Sequence, residues 1–224
     1  MTEHPQTEDR PYLPGIGRHG PMSLYDPLVR LLGRSRFDRR LVEQAAPAPG
    51  HRVLEIGCGT GSVTVLAARS APGATVTGLD PDPRALRIAA RKARRAGVAV
   101  RWDTGFAQSL PYQDAAFDRV LSALMLHHLD PAGRAEALCE ARRVLAPGGS
   151  LHVVDLGGAV SPDDGLLARH LAHSHRLASH LDDAVPAQLR AAGFDPAVET
   201  GHVLHRVLGR LTYYRGDVTA DAHP

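Results

Sequence analysis

Apolar residues follow two rhythms along this chain. From Leu24 to Ala46 they recur at helical spacing, at Leu28, Leu31, Leu32, Leu41, Val42 and Ala45, which predicts one or two helices. After Pro47-Ala48-Pro49-Gly50, short apolar runs alternate with amphipathic stretches. The runs predict strands near 52–57, 74–79, 98–102, 117–122 and 149–155, with helices between them near 61–71, 82–96 and 131–146. Such alternation implies a parallel sheet with helices on both faces. Residues 163–192 read as mostly helical. Phe194–Glu199 and Val203–Tyr214 read as two strands with little between them. So short a connection requires antiparallel pairing. Residues 1–21, with Pro5, Pro11, Pro14 and Pro21, read as irregular.

The first strand leads into Glu55-Ile56-Gly57-Cys58-Gly59-Thr60-Gly61. Glycines at alternate positions let the backbone turn with positive φ and approach a ligand closely. The helix that follows offers free N–H groups and the positive end of its dipole. A dinucleotide site would space its glycines G-x-G-x-x-G. Here the spacing is G-x-G-x-G, and Glu55 precedes the first glycine. A carboxylate at the strand tip repels a pyrophosphate and attracts an ammonium group. Asp80 ends the second strand, where a carboxylate can accept both hydroxyls of a ribose. Its other reading is a helix cap, because Asp80-Pro81-Asp82-Pro83 is also helix-start chemistry.

Composition narrows the class. At 224 residues the chain fits one domain, with 26 basic and 24 acidic residues. That balance requires neither nucleic acid nor an anionic surface as partner. The run Arg84, Arg87, Arg91, Lys92, Arg94, Arg95 reads first as a solvated helix face and second as a phosphate contact. Cys58 and Cys139 are too few for a disulfide framework. The opening residues carry no apolar signal core, and no stretch approaches the ~20 apolar residues of a membrane span. A cytoplasmic protein is the expectation.

With its landmarks in order, the chain resembles the class I S-adenosylmethionine-dependent methyltransferases. The match runs from about Val53 to Asp155. It is carried by E-x-G-x-G-x-G, Leu110-Pro111-Tyr112, Phe117-Asp118-Arg119-Val120, Leu126-His127-His128-Leu129 and Arg143-Val144-Leu145-Ala146-Pro147-Gly148-Gly149. Within the family it is most similar to the small-molecule branch of ubiquinone and menaquinone C-methyltransferases. The resemblance implies a Rossmann-like α/β fold: a seven-stranded, mostly parallel sheet whose last strand is antiparallel, with helices on both faces. It implies residues 1–46 as an N-terminal segment with lid helices. Residues 47–224 would form the cofactor-binding domain, with a helical acceptor-side insertion near 156–180.

S-adenosylmethionine is the implied cofactor and S-adenosylhomocysteine the product. Contacts are expected from Glu55, Gly57, Cys58, Gly59, Gly61, Asp80 and Pro81. At the third strand the family places an aspartate against adenine. This chain has Phe106 there, so Phe106, Ala107 and Gln108 inherit the position, with plain core as the other reading of Phe106. Ser122, at the fourth strand tip, falls beside the methionine part of the cofactor. The S-A-L-M sequence lacks the N-P-P-Y type of tetrapeptide found in nucleic-acid methyltransferases, which argues against a DNA base as acceptor.

Methyl transfer is an in-line displacement, and the cofactor carries the reactivity. A base is needed only where the acceptor must first lose a proton. His127 and His128 follow the fourth strand, where the family's acceptor pocket lies, and read as a base or as scaffold. Tyr25 is the candidate lid aromatic near the methyl group and a candidate catalytic contact, and Tyr12 and His19 of the same segment are candidates for the acceptor pocket. His170 and His173 fall on one predicted helix face and are candidates for the acceptor pocket. The spacing lacks a zinc-helix pair with an acidic partner, so no metal is expected. The function read here is methyl transfer to a small-molecule acceptor, without nucleic acid or membrane span. A cofactor-binding regulatory protein without catalysis is the alternative, and a nicotinamide-dependent oxidoreductase a more remote one.

Overall fold

The structure is a computed structural model, which describes residues 34–157, 184–205 and 209–220. In chain order the elements are α1 (Arg34–Ala45), β1 (Arg52–Ile56), α2 (Ser62–Ser70), β2 (Thr75–Asp80), α3 (Pro83–Ala96), β3 (Arg101–Thr104) and β4 (Phe117–Ala123). A 3-10 turn at Leu126–His128 leads to α4 (Pro131–Val144) and β5 (Leu145–Leu156). Beyond the next described residue come α5 (Ala184–Ala191), β6 (Ala197–His205) and β7 (Gly209–Asp217).

The strands form one seven-stranded sheet in the order β3-β2-β1-β4-β5-β7-β6. β1 to β5 pair in parallel, and β7 runs antiparallel between β5 and β6. The fold expectation holds, reversed last strand included. Both faces are covered. Leu41, Val42 and Ala45 of α1 and Val63 and Ala67 of α2 pack on Val53, Val76, Leu121 and Val154. On the other face Ala137, Leu138 and Ala141 of α4 and Val185 and Leu189 of α5 pack on Leu54, Ile56, Val120 and Val153. Strands buried on both sides explain the near-continuous apolar runs in the sequence.

Two boundaries differ from expectation for physical reasons. β3 begins at Arg101 rather than near 98. Gly97 ends α3 at φ 68°, and the Val98 amide bonds back to Ala93 O at 3.2 Å. Val98 is thus spent on closing the helix and cannot enter the sheet. Residues 200–202, left between the two expected strands, lie inside β6. The register slips between Glu199 and Gly201, so the glycine marks a bulge. The Leu110-Pro111-Tyr112 segment is clamped to α4: Arg143 donates to the Leu110 and Tyr112 carbonyls, and Glu140 accepts the Leu110 amide at 2.7 Å. Of the segment expected to hold lid helices, only Arg34 onward is described, and α1 is packed on the sheet.

Candidate active site

The carboxyl ends of β1, β2, β4 and β5 meet at one rim, around the point where strand order reverses between β1 and β4. Ligand crevices form at such points in open parallel sheets. At β1 the chain turns through Gly57, Gly59 and Gly61, at φ 65°, 51° and 73°. Packing dictates two of them. A Cβ at Gly57 would sit 2.2 Å from Met125 Cγ, and one at Gly61 would sit 2.6 Å from Trp102 Cη2. At Gly59 nothing among the described residues lies within 4 Å, so the crest of the turn is open to that extent. Cys58 contributes backbone only: its amide bonds Leu79 O and its carbonyl accepts the Gly61 amide. The thiol is buried, and burial pushes its pKa well up, with Glu55 and Asp80 adding to the rise. A side-chain contact from Cys58 to a ligand at the crest is not what this geometry offers.

Two carboxylates brace the turn. Glu55 is buried on the α2 face of the sheet and accepts a hydrogen bond from the Thr64 hydroxyl. Asp80 accepts the Gly59 amide at 2.7 Å and the Asp82 amide at 2.9 Å. The helix cap of α3 is Asp82, which accepts the Arg84 amide, with Pro83 in the first turn. Asp80 is therefore left to hold the glycine turn from the tip of β2. Burial raises its carboxyl pKa, and the two amides only partly oppose this. Pro81 beside it is half-buried.

Next to Asp80, the Gly105 amide bonds the Asp80 carbonyl at 3.3 Å. This puts Phe106, half-buried, and Ala107, buried, on the β2 side of the rim. Gln108 turns elsewhere, with its Nε2 beside Gly133 in the first turn of α4. At the β4 tip, the Ser122 hydroxyl is fully buried without a hydrogen-bond partner among the described residues. An orphaned buried hydroxyl costs about 1–3 kcal/mol, which a bound polar group offsets.

β4 leaves the sheet through Leu124 at φ 55°, a left-handed conformation unusual for leucine. Met125 then packs on Gly57, joining the glycine turn to the histidine turn. His127 Nδ1 lies 2.6 Å from Asp155 Oδ1, near the end of β5. Asp155 is buried and also accepts the Leu126 amide at 2.8 Å and the Leu156 amide at 2.7 Å. Burial lowers the His127 pKa, but the Asp155 charge and hydrogen bond outweigh it, so the net shift is upward. For Asp155, burial raises the pKa, while His127 and the two amides bring it below the usual range. His128 stacks at 4.1 Å on His127, and burial with its neighbour's charge pushes it down to about 4. The buried Arg134 of α4 acts electrostatically on the pair, lowering His127.

The rim thus gathers Glu55, Gly57, Gly59, Gly61, Asp80, Pro81, Phe106, Ala107, Ser122, His127 and His128. Tyr12, His19, Tyr25, His170 and His173 lie outside the described residues. Sequence reasoning missed Asp155. Its signal was available: an acid closing the apolar run Leu151-His152-Val153-Val154, as Glu55 and Asp80 close theirs. Among the described residues no group of three or more His, Cys, Asp or Glu is arranged for a metal, and no helix is long and apolar enough to cross a membrane.

Residues 53–149 match the methyltransferase domain family. The demethylmenaquinone methyltransferase of Thermus thermophilus is 35% identical over 201 residues, which covers 78% of this chain and 90% of that one. An uncharacterized methyltransferase of Synechocystis is 39% identical over 127 residues, 55% of this chain and 56% of its own, so the chain spans little more than half of that relative. The crystal structure of a putative O-methyltransferase from Nostoc punctiforme superposes with a TM-score of 0.68 at 21% identity, over 81% of this chain and 56% of that one. At that identity the likeness concerns the fold. Shared landmarks, sheet order and kinship over most of the chain lead to one family: the chain belongs to the class I S-adenosylmethionine-dependent methyltransferases acting on small molecules, and within them it is similar to the demethylmenaquinone methyltransferases.

Proposed function

We propose that this chain methylates a quinol-type aromatic acceptor, with His127 as the base that takes the acceptor's hydroxyl proton. The observation that carries this reading is the buried Asp155 against His127 Nδ1. A carboxylate there favours the tautomer with hydrogen on Nδ1 and leaves Nε2 as proton acceptor. The His127 side chain keeps 15% exposure, enough for an acceptor to reach its edge. The name of the Thermus relative supports a quinol as acceptor.

The residues of the rim fit S-adenosylmethionine. In this reading the open crest at Gly59 admits the cofactor to the backbone. Asp80 accepts from the ribose, Phe106 and Ala107 flank the adenine, and the Ser122 hydroxyl finds its partner in the methionine part. Glu55 orients the turn and supplies negative charge beneath the ammonium group. When bound, the cofactor supplies an electrophilic methyl group for in-line displacement. His127 Nε2 takes the proton, Asp155 stabilises the resulting imidazolium, and the neutral His128 shields the pair from water. Tyr25 is assigned to the lid, and Tyr12, His19, His170 and His173 to the acceptor wall, with the 1–46 segment and the insertion near 156–180 enclosing the site. Two free cysteines, one buried, accord with action in the reducing cytoplasm.

The test is transfer of a labelled methyl group to a panel of short-chain quinols, phenols, amines and thiols. Quinol turnover that falls about 10²–10⁴-fold in His127→Ala is expected. Transfer confined to thiols or amines, or activity indifferent to His127→Ala, overturns the reading.

A further inference from the structure

Within the basic run on α3, Lys92 turns inward and donates to Thr60 Oγ1 at 3.2 Å and Ser62 Oγ at 2.9 Å, whereas the five arginines form a surface. Arg84, Arg87, Arg91, Arg94 and Arg95 are all exposed. At 100° per residue they occupy about 100° of the helix circumference and about 16 Å of its length. The opposite face of the helix, through Ala85, Leu86, Ala89 and Ala93, is buried. Among the described residues, no ion pair is made to any of the five. The helix holds six basic residues and no acid while the whole chain carries a net +2, which leaves a net −4 elsewhere. Neighbours of like charge at i,i+3 and i,i+4 oppose the helix. A solvated face built for solubility would intersperse acids, and this one does not.

We infer that the arginine face of α3 docks on an anionic lipid surface, an inference that rests on the quinol reading above. An apolar aromatic acceptor partitions into a bilayer, and a stripe of exposed guanidinium groups complements its anionic headgroups. α3 itself carries no aromatic residue, and Trp102 of the neighbouring β3 is packed over Gly61 and Gly78. Single-stranded nucleic acid is held by aromatic stacking platforms as well as by charge. α3 starts three residues after Asp80, so Arg84 and Arg87 lie at the rim end of the sheet, beside the glycine turn. Lipid contact along this face therefore brings that end of the molecule to the bilayer.

Co-sedimentation of the full chain with vesicles tests this. Binding to phosphatidylcholine vesicles containing 30% phosphatidylglycerol is expected, with none to phosphatidylcholine alone, and with release as salt is raised. Each arginine near an anionic surface contributes about fivefold in partitioning, so Arg87→Gln with Arg91→Gln lowers it roughly twentyfold. Circular dichroism verifies that the variant is folded. No binding to the anionic vesicles, equal binding by the variant, or stronger binding to duplex DNA than to vesicles overturns the inference. The quinol reading fails separately. Vesicle binding without transfer to any water-soluble quinol removes that reading and leaves the surface. Transfer without vesicle binding does the reverse.

Discussion

Two glycines two residues apart separate packing from ligand access. Gly57 and Gly59 have similar left-handed φ values, but only Gly57 is pressed by a neighbour, Met125. An alanine at either position carries about 1–2 kcal/mol of left-handed strain. At Gly57 overpacking adds about 1–3 kcal/mol. Gly57→Ala is therefore expected to lower stability by about 2–5 kcal/mol, measured by urea unfolding. Gly59→Ala is expected to lose less stability and instead weaken S-adenosylhomocysteine affinity, measured by calorimetry, because its new methyl group points into the open crest. Equal effects of the two on both quantities would refute the division. Single residues differ in what they announce. The glycine turn was legible because its chemistry is local: spacing and a preceding acid specify it. Asp155 was as legible by strand position as Glu55, but its role exists only through His127, 28 residues away in sequence. Gln108 and Cys58 could not be assigned from sequence, since direction of a side chain depends on which helix packs over it.

Elements bring a different kind of group together. His152 lies inside β5, buried, between Gln44 of α1 at 3.1 Å and Ser150 at 2.9 Å. Gln44 also donates to the Tyr214 carbonyl and accepts from Thr200 of β6, so α1 is tied to three strands. Burial pushes the His152 pKa down to about 3, with Arg215 and Arg119 contributing. The unfolded chain takes up this proton near pH 6.5 and the folded chain only near pH 3. Its stabilising effect is therefore complete above about pH 6.5 and declines as pH falls, by up to about 1.4 kcal/mol per unit. His128, pushed down to about 4, adds in the same direction. His127, raised by Asp155, acts in the opposite direction and is unchanged between the proteins compared. The expected result is that His152→Gln flattens the fall in urea midpoint between pH 6.5 and 4 relative to the parent chain. Parallel curves would exclude His152 as a source of acid lability. Helix α1 was visible in the sequence as a period, but its attachment through His152 was not, because 108 residues separate the partners. The β6 bulge shifted for the same reason, since it is settled by pairing with β7, whereas the α3 cap is local: Val98 bonds back to its own helix.

For the whole molecule, the site belongs to no single layer. Its groups come from the tips of β1, β2, β4 and β5, the strands that also form the centre of the sheet. A ligand bridging those tips is coupled to global unfolding, since no tip separates without opening the core. S-adenosylhomocysteine at about 100 times its Kd then adds about 2.7 kcal/mol to stability. For a chain of this size that is a rise in Tm of roughly 5–10 °C. NADH is expected to give no rise, because its pyrophosphate would lie over the crest beside Glu55 and Asp80. Asp80→Ala lowers the starting Tm by releasing the Gly59 amide, so the informative quantity is the ligand-induced increment. That increment is expected to shrink severalfold in Asp80→Ala and to stay intact in Arg95→Gln, which lies in the last turn of the same β2–β3 crossover helix, away from the rim. An undiminished increment in Asp80→Ala would remove the ribose role from Asp80 and leave it as the brace of the glycine turn alone.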